Sequence, residues 1–181
     1  MRPGHQRRSA SSAAKRCALP LGILALATSC VDASPPPAAA RAPAFDPILF
    51  FSGRTEGLGR LKKAFSRSRT VRVAGRGTIA NGSLTLTQRV EEEGKPPRSR
   101  RWSLKPVGRD GYIGSLSDAS GPVAAALNGN VLHVRFQAEG GVQIEQWISL
   151  RADGRSAQNR LVARKFGVAV AVLDETIRKI E

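Results

Sequence analysis

Apolar and polar residues alternate one by one along much of the chain, which is the pattern of strands with one buried face and one wet face. The alternation is clear in residues 71–76, 83–87 and 131–136. It is weaker in residues 98–107 and 142–150, and the second of these segments is partly apolar on both faces. The pattern predicts a chain built mainly from short β-strands.

Tight turns separate these segments, because dipeptides that accept positive φ recur between them. The five dipeptides are Asn81-Gly82, Asp110-Gly111, Asn128-Gly129, Gly140-Gly141 and Asp153-Gly154. Strands joined by such turns run antiparallel, and a long meander leaves two exposed edges unless it closes on itself. We therefore predict an all-β fold, a closed or nearly closed antiparallel barrel of roughly eight to ten strands.

The same pattern predicts two details of the barrel. Residues 168–180 fit either a helix or a strand, and their β-branched residues favour a final strand. The apolar phase of the other segments places Trp102, Phe136, Leu84 and Val73 in the barrel interior.

The first 29 residues have the composition of an export signal. Their basic residues come without any acid, and the apolar run Ala18–Ala27 is too short to span a bilayer. Arg7-Arg8 could indicate twin-arginine export, but the hydrophobic pair that usually follows is missing, so general secretion is favoured. We expect residues 1–29 to be removed as a signal peptide.

The segment Ala27-Thr28-Ser29-Cys30 resembles a bacterial lipobox, with alanine at the position where leucine is usual. The resemblance implies a lipid attached to Cys30 and a bacterial cell-envelope lipoprotein that faces the periplasm. The alternative is ordinary cleavage after Ala27 or Ala33, which would leave Cys30 as a free thiol. Because Val31 follows the cysteine, the enteric retention rule favours the outer membrane over the inner one.

Residues 30–44 are rich in proline and alanine and lack apolar periodicity, so we expect an extended, disordered tether ahead of a barrel domain over residues 45–181. Without the signal, 24 basic residues face 14 acidic ones, a net charge of +10. In an envelope compartment the counterions would be anionic lipid or acidic glycan and not nucleic acid. A solvated arginine-rich surface is the alternative explanation.

The residues outside the signal offer little for catalysis. One histidine (His133), one tyrosine (Tyr112) and Cys30 exclude Cys/His chemistry and multi-histidine metal sites, so no metal or cofactor is expected. The acidic run 91–93 precedes a glycine and two prolines and is typical of a loop. The inventory favours a non-enzymatic role.

Two ordered motifs stand out in the expected barrel segment. The first is FDPILFFSGRTEGLG at Phe45–Gly59, and the second is WISLRADG with the following NR and KFG, between Trp147 and Gly167. Together they resemble a bacterial lipoprotein-like family known as domain of unknown function 3833. The family usually has aspartate before the tryptophan and an aromatic residue two positions after it, where this chain has Gln146 and Ser149. The resemblance implies an exported lipocalin-like barrel without an established activity.

The motifs also supply the candidate binding residues. Phe50-Phe51 can plug one end of a barrel, and the glycines of the first motif can bend the first strand. The alternative is that Arg54 and Glu56 point into a cavity. Polar residues beside aromatic ones suit an amphipathic ligand, and the candidates in the two motifs are Arg54, Glu56, Trp147, Asn159, Arg160 and Lys165.

Three classes of function remain open. The first is a membrane-tethered barrel that binds a lipid or fatty-acyl ligand. The second is a structural envelope protein that docks to anionic lipid or glycan. The third is a cofactor-free isomerase or cyclase, which a Glu56 buried deep in a pocket would favour. The size of the barrel interior separates the first two classes.

Overall fold

The computed structural model describes Met1, Ser34 and residues 42–180. The expected signal peptide at residues 1–29, the lipid attachment at Cys30 and most of the expected tether lie outside the described residues. The barrel expected from residue 45 lies within them. No helix of the described part is long and apolar enough to cross a membrane.

Ten antiparallel strands form one closed sheet after a short helix, α1 (Pro47–Phe51). The strands are β1 (Gly53–Lys63), β2 (Arg69–Ala80), β3 (Ser83–Glu92), β4 (Arg98–Val107), β5 (Gly111–Leu116), β6 (Val123–Asn128), β7 (Val131–Ala138), β8 (Val142–Leu150), β9 (Ser156–Lys165) and β10 (Val168–Lys179). Each strand pairs with its neighbours in sequence, and β1 also pairs with β10 to close the barrel. The predicted lipocalin-like barrel is confirmed, and residues 168–179 form the predicted final strand.

The hairpins follow from residues that tolerate a left-handed backbone. Asn81 and Gly82 both have positive φ, 49° and 71°, and this geometry matches the twist of the strands that they join. The turn between β4 and β5 differs from the prediction, because Gly108 and not Gly111 takes the positive φ. Gly111 instead lies close to the backbone of Val107, where a Cβ would come within 2.7 Å of the carbonyl oxygen.

The interior is filled mainly by the apolar phase of the strands. Leu84 and Val73 are buried at 2% and 8% exposure, and Trp102 packs edge-on against Phe136 with ring centroids 5.6 Å apart. All four predicted interior residues therefore lie inside the barrel. A large side chain gains about 1.5–3 kcal/mol from such burial, so this core is the main source of stability.

Helix α1 closes the barrel end at which the chain enters the sheet. Asp46 caps its first turn by accepting a hydrogen bond from Leu49 N at 3.0 Å. Phe50 and Phe51 are buried, as expected of a plug. Lys179, at the end of β10, donates to the carbonyls of Leu49 at 3.0 Å and Phe50 at 3.2 Å and to the carbonyl of Ser52. This lysine ties the exposed C-terminal carbonyls of the plug to the barrel wall.

Candidate functional site in the barrel interior

Five strands each carry one polar residue at a position where the alternation calls for an apolar one. The five residues are Gln88 on β3, Arg100 on β4, Gln146 on β8, Asn159 on β9 and Glu175 on β10. Each lies two residues from an apolar inward-facing neighbour on its own strand, and so it shares the inner face. Buried polar groups cost free energy unless they are paired, so five of them in one interior need an explanation.

Gln88 joins two of the side chains on the β3–β4 side. Its Oε1 accepts hydrogen bonds from Arg100 Nε and Trp102 Nε1, both at 2.9 Å. The guanidinium carbon of Arg100 also lies 5.5 Å from the centre of the Trp102 ring. Arg100 keeps some exposed surface as a residue, although its charged group is enclosed by protein, and burial lowers its pKa. A cation is thus held at the edge of an apolar interior.

Glu175 lies on the opposite wall with 5% of its surface exposed. Burial raises the pKa of this carboxyl, and the hydrogen bond from Asn159 and the charge of Arg100 partly offset that effect. Asn159 Nδ2 donates to Glu175 Oε2 at 2.8 Å. Among the described residues, the neutral amide of Asn159 is the one donor in contact with this carboxyl group, and Arg100 acts on it through its charge.

Two glycines of the first sequence motif make room for this carboxyl. Gly57 and Gly59 face inward on β1 beside Glu175. A Cβ at Gly57 would lie 2.9 Å from the carboxyl carbon of Glu175 and closer still to Oε1, and a Cβ at Gly59 would lie 2.9 Å from Glu175 Cβ. The sequence interpretation of these glycines as bending points is therefore incomplete, because they also create the space that Glu175 fills.

Two buried acceptors near these groups lack a protein donor. Within the described residues, Gln146 Oε1 and Asn159 Oδ1 are buried and accept no hydrogen bond from the chain. An acceptor in that position is normally satisfied by ordered water or by a ligand donor. The interior can therefore offer a cation, a carboxyl group and two free acceptors to a guest.

The free space between these groups is small. The cavity has a volume of about 50 Å³ and is lined by Glu175, Arg100, Gln88, Gln146 and Trp102 together with apolar side chains. At about 30 Å³ per water molecule it holds only one or two waters. Phe51 is the lining residue that belongs to α1 and not to a strand, so the plug is one wall of the cavity.

Most of the candidate residues from the two motifs lie outside the interior polar cluster. Only Asn159 lies in the interior. Arg54 and Glu56 lie exposed on the outer face of β1, so they do not point into the barrel interior. The reason is the strand phase, since Thr55, Gly57 and Gly59 occupy the inner positions.

Trp147 and Arg160 are cross-strand neighbours on the outer face of β8 and β9. Trp147 stacks on His133 with ring centroids 4.9 Å apart, and Arg160 Nη1 donates to Asp174 Oδ1 at 2.9 Å. Lys165 lies at the far end of β9, beside the turn to β10. The structure therefore does not bring the six candidates together into one site.

A second depression is larger but less suited to a buried ligand. It is an open groove of about 780 Å³ over the outer faces of β1, β2 and β10, lined largely by charged side chains such as Glu56, Arg72 and Arg178. Such charges are satisfied by solvent and by pairs like Arg89–Glu91 at 2.9 Å. The buried polar cluster is the stronger candidate although its cavity is smaller. Among the described residues, no three His, Cys, Asp or Glu side chains are grouped so as to hold a metal ion.

Comparison with known proteins identifies the family and the fold. A protein-family profile described as "Protein of unknown function (DUF3833)" matches residues 24–179. The chain belongs to this family. Gly57 and Gly59, which admit Glu175, lie in the motif by which the sequence resembles DUF3833. No curated protein is detectably similar to the chain.

Two solved structures share the fold at low sequence identity. The S-type phycobiliprotein lyase CPES from Guillardia theta superposes with a TM-score of 0.60 at 9% identity, over 74% of this chain and 90% of the lyase. Rv2717c from M. tuberculosis superposes with a TM-score of 0.57 at 17% identity, over 76% of this chain and 99% of that protein. At these identities the likeness extends to the barrel fold alone.

Proposed function

We propose that the protein is a membrane-tethered cell-envelope lipoprotein whose barrel binds an amphipathic, acyl-type ligand. The observation that carries the proposal is the polar cluster inside an otherwise apolar barrel. An anionic head group would pair with Arg100, a donor group would meet Gln146 Oε1 or Asn159 Oδ1, and the acyl chain would contact the apolar wall. Arginine suits this role because its planar fork of donors matches a carboxylate or a phosphate.

Binding of an acyl chain requires the interior to expand. Ligand pockets usually measure about 300–1,000 Å³, well above the 50 Å³ of this cavity. Helix α1 is the wall that can move without breaking the sheet, because Phe51 lines the cavity and Lys179 holds the helix by side-chain contacts alone. The ligand would therefore displace the plug.

Tryptophan fluorescence can test the proposal directly. The chain has two tryptophans, so a Trp147→Phe background leaves Trp102 in the cavity wall as the reporter. A fatty acid with a dansyl label, such as 11-(dansylamino)undecanoic acid, should quench Trp102 by energy transfer in a saturable way. Arg100→Gln should weaken binding about tenfold or more, because a buried charged hydrogen bond is lost.

The neighbouring residue supplies the matched control. Arg101 lies on the same strand and faces outward, so Arg101→Gln changes the net charge equally but leaves the interior intact. Equal weakening by both variants would mean that the fatty acid binds the outer surface. Weak binding confined to Arg100→Gln would support the interior site.

The small cavity favours a second candidate, a structural envelope protein with a filled barrel. It predicts no saturable energy transfer from Trp102 with any acyl probe, although the barrel is folded. The third class, a cofactor-free isomerase or cyclase, would be favoured by a deeply buried Glu56, but Glu56 lies on the outer face.

The proposed anchor needs its own experiment. The intact mass of protein extracted from its own membranes should include a diacylglyceryl group on Cys30 as the first residue. An unmodified chain that begins at residue 28 or 34 would refute the lipoprotein assignment while leaving the ligand proposal open.

A further inference from the structure

Two hairpin tips at the barrel end opposite α1 each present an exposed phenylalanine. Phe65, in the turn between β1 and β2, is 95% exposed, and Phe166, in the turn between β9 and β10, is 94% exposed. The turns are neighbours because β1 pairs with β10, and Ala64 N donates to Val170 O at 2.9 Å just below them. Val168, beside Phe166, is 66% exposed and extends the apolar surface.

Both phenylalanines have a backbone conformation that suits glycine or asparagine. Their φ angles are 57° for Phe65 and 52° for Phe166, and among the described residues Asn81 is the one other non-glycine residue with positive φ. A bulky L-residue is disfavoured in this region, and an exposed aromatic ring gains no burial in return. The barrel therefore bears two unfavourable features at adjacent tips without benefit to its own packing.

Basic side chains surround the tips. Glu92 Oε1 lies 2.9 Å from Lys63 Nζ, 3.1 Å from Lys95 Nζ and 3.7 Å from Arg69 Nη1, so three cations share one carboxylate. Lys165 Nζ lies 5.6 Å from the centre of the Phe166 ring. Glu93 Oε1 pairs with Arg67 Nη2 at 3.9 Å, so four cations face two carboxylates here, and the surface around the two rings carries a net positive charge.

We propose that this end of the barrel docks onto an anionic phospholipid bilayer. The rings of Phe65 and Phe166 would enter the interfacial layer, where aromatic side chains are favoured, and the lysines and arginine would meet the head groups. A bilayer would bury the exposed rings and balance the positive charge, and the barrel itself does neither. The inference does not depend on whether the interior holds a ligand.

The expected N-terminal tether is compatible with this orientation. The chain enters the barrel at the α1 end, and strands of about twelve residues, tilted as in other barrels, give a height of about 30 Å. An extended tether over residues 30–44 would reach about 40 Å. A lipid on Cys30 could therefore share one membrane with the aromatic tips.

Site-specific quenching identifies which end of the barrel contacts lipid. In the full chain, tryptophan would replace Phe166 in one variant and Leu49 in another, since Leu49 is an exposed apolar residue of α1 at the opposite end. Vesicles of phosphatidylglycerol with brominated acyl chains should quench the added signal of Phe166→Trp several-fold more than that of Leu49→Trp. Equal quenching, or none at either position, would overturn the proposal.

Asparagine variants separate docking from a structural role. Phe65→Asn and Phe166→Asn keep a residue that tolerates positive φ, so the barrel should be at least as stable in solution as the parent. Attachment of the barrel end, read from brominated-lipid quenching of a Val168→Trp reporter, should fall about tenfold with each change, and it should also fall when phosphatidylcholine replaces phosphatidylglycerol. Unchanged quenching with both asparagines present would refute docking, and a loss of solution stability would show that the rings serve the fold.

Discussion

Replacing Gly57 with alanine tests whether the glycines of the first motif exist to accommodate Glu175. The added Cβ would lie 2.9 Å from the carboxyl carbon of Glu175, whereas carbon atoms in contact are normally about 3.5–4.0 Å apart. The carboxyl group must therefore retreat by about 1 Å, which breaks its 2.8 Å hydrogen bond from Asn159.

The expected cost combines three effects. Overpacking of a filled interior costs about 1–3 kcal/mol, and a buried Asn159 amide without its acceptor costs about 1–3 kcal/mol more. Alanine offsets about 0.5–1 kcal/mol of this cost, because it reduces the conformational entropy of the unfolded chain. We expect Gly57→Ala to lower the free energy of unfolding by about 3 kcal/mol, which corresponds to roughly 10 °C in Tm for a domain of this size.

Urea unfolding followed by far-UV circular dichroism measures this change. Gly121→Ala is the matched control, because no atom lies within 4 Å of the position that a Cβ would take at Gly121 and its φ is not positive, so its effect should stay within about 0.5 kcal/mol. In a double-mutant cycle, Glu175→Ala should remove most of the cost of Gly57→Ala. A cost that is the same with and without Glu175→Ala would refute the steric explanation.

Three further predictions concern the pH dependence and the plug. Burial raises the pKa of Glu175 above its usual 4.5, so the favourable protonated state is lost as the pH rises. Glu175→Gln should therefore match the parent in stability near pH 4 and exceed it at pH 7. Urea midpoints at both pH values check this, and an equal difference at both would contradict it. Lys179→Met keeps the aliphatic stem but loses the hydrogen bonds to α1, so it should lower stability by about 1–3 kcal/mol and make α1 sensitive to protease. Protease resistance equal to that of the parent would argue against a role of Lys179 in holding α1. Hydrogen bonds from Ser156 and Arg155 lower the pKa of Asp153 from 3.8 to about 2. Asp153→Asn should therefore lower stability at neutral pH, and the difference should disappear as the pH falls through about 2. A difference in stability that persists below that pH would refute the assignment.

The fold follows from local features of the sequence. Alternation sets one face of each strand toward the interior, and dipeptides such as Asn81-Gly82 fix the hairpins, so neighbouring strands pair in order. The turns at Phe65 and Phe166 carry no such signal before the structure is seen, because phenylalanine is among the residues least expected at positive φ. Closure between β1 and β10 then brings these two turns together, and local sequence patterns do not predict this proximity.

The interior polar residues can be recognised in part from the sequence alone. Gln88, Arg100, Gln146 and Glu175 each interrupt the apolar phase of a strand, and such an interruption is visible without a structure. Their mutual placement is not, because it depends on the register across ten strands. The six candidate residues lie in two motifs, and of these six only Asn159 belongs to the buried cluster.

The first motif is explained better by what its glycines admit than by what its charged residues could bind. Arg54 and Glu56 are outward-facing, while Gly57 and Gly59 are spaced two apart on the inner face, directly beside Glu175. If Glu175 served only the barrel, an apolar residue there with side chains on β1 would fill the same volume without the cost of burying a carboxyl group. Gly57, Gly59 and Glu175 therefore form one packed unit, in which the two glycines leave the space that the buried carboxyl group occupies.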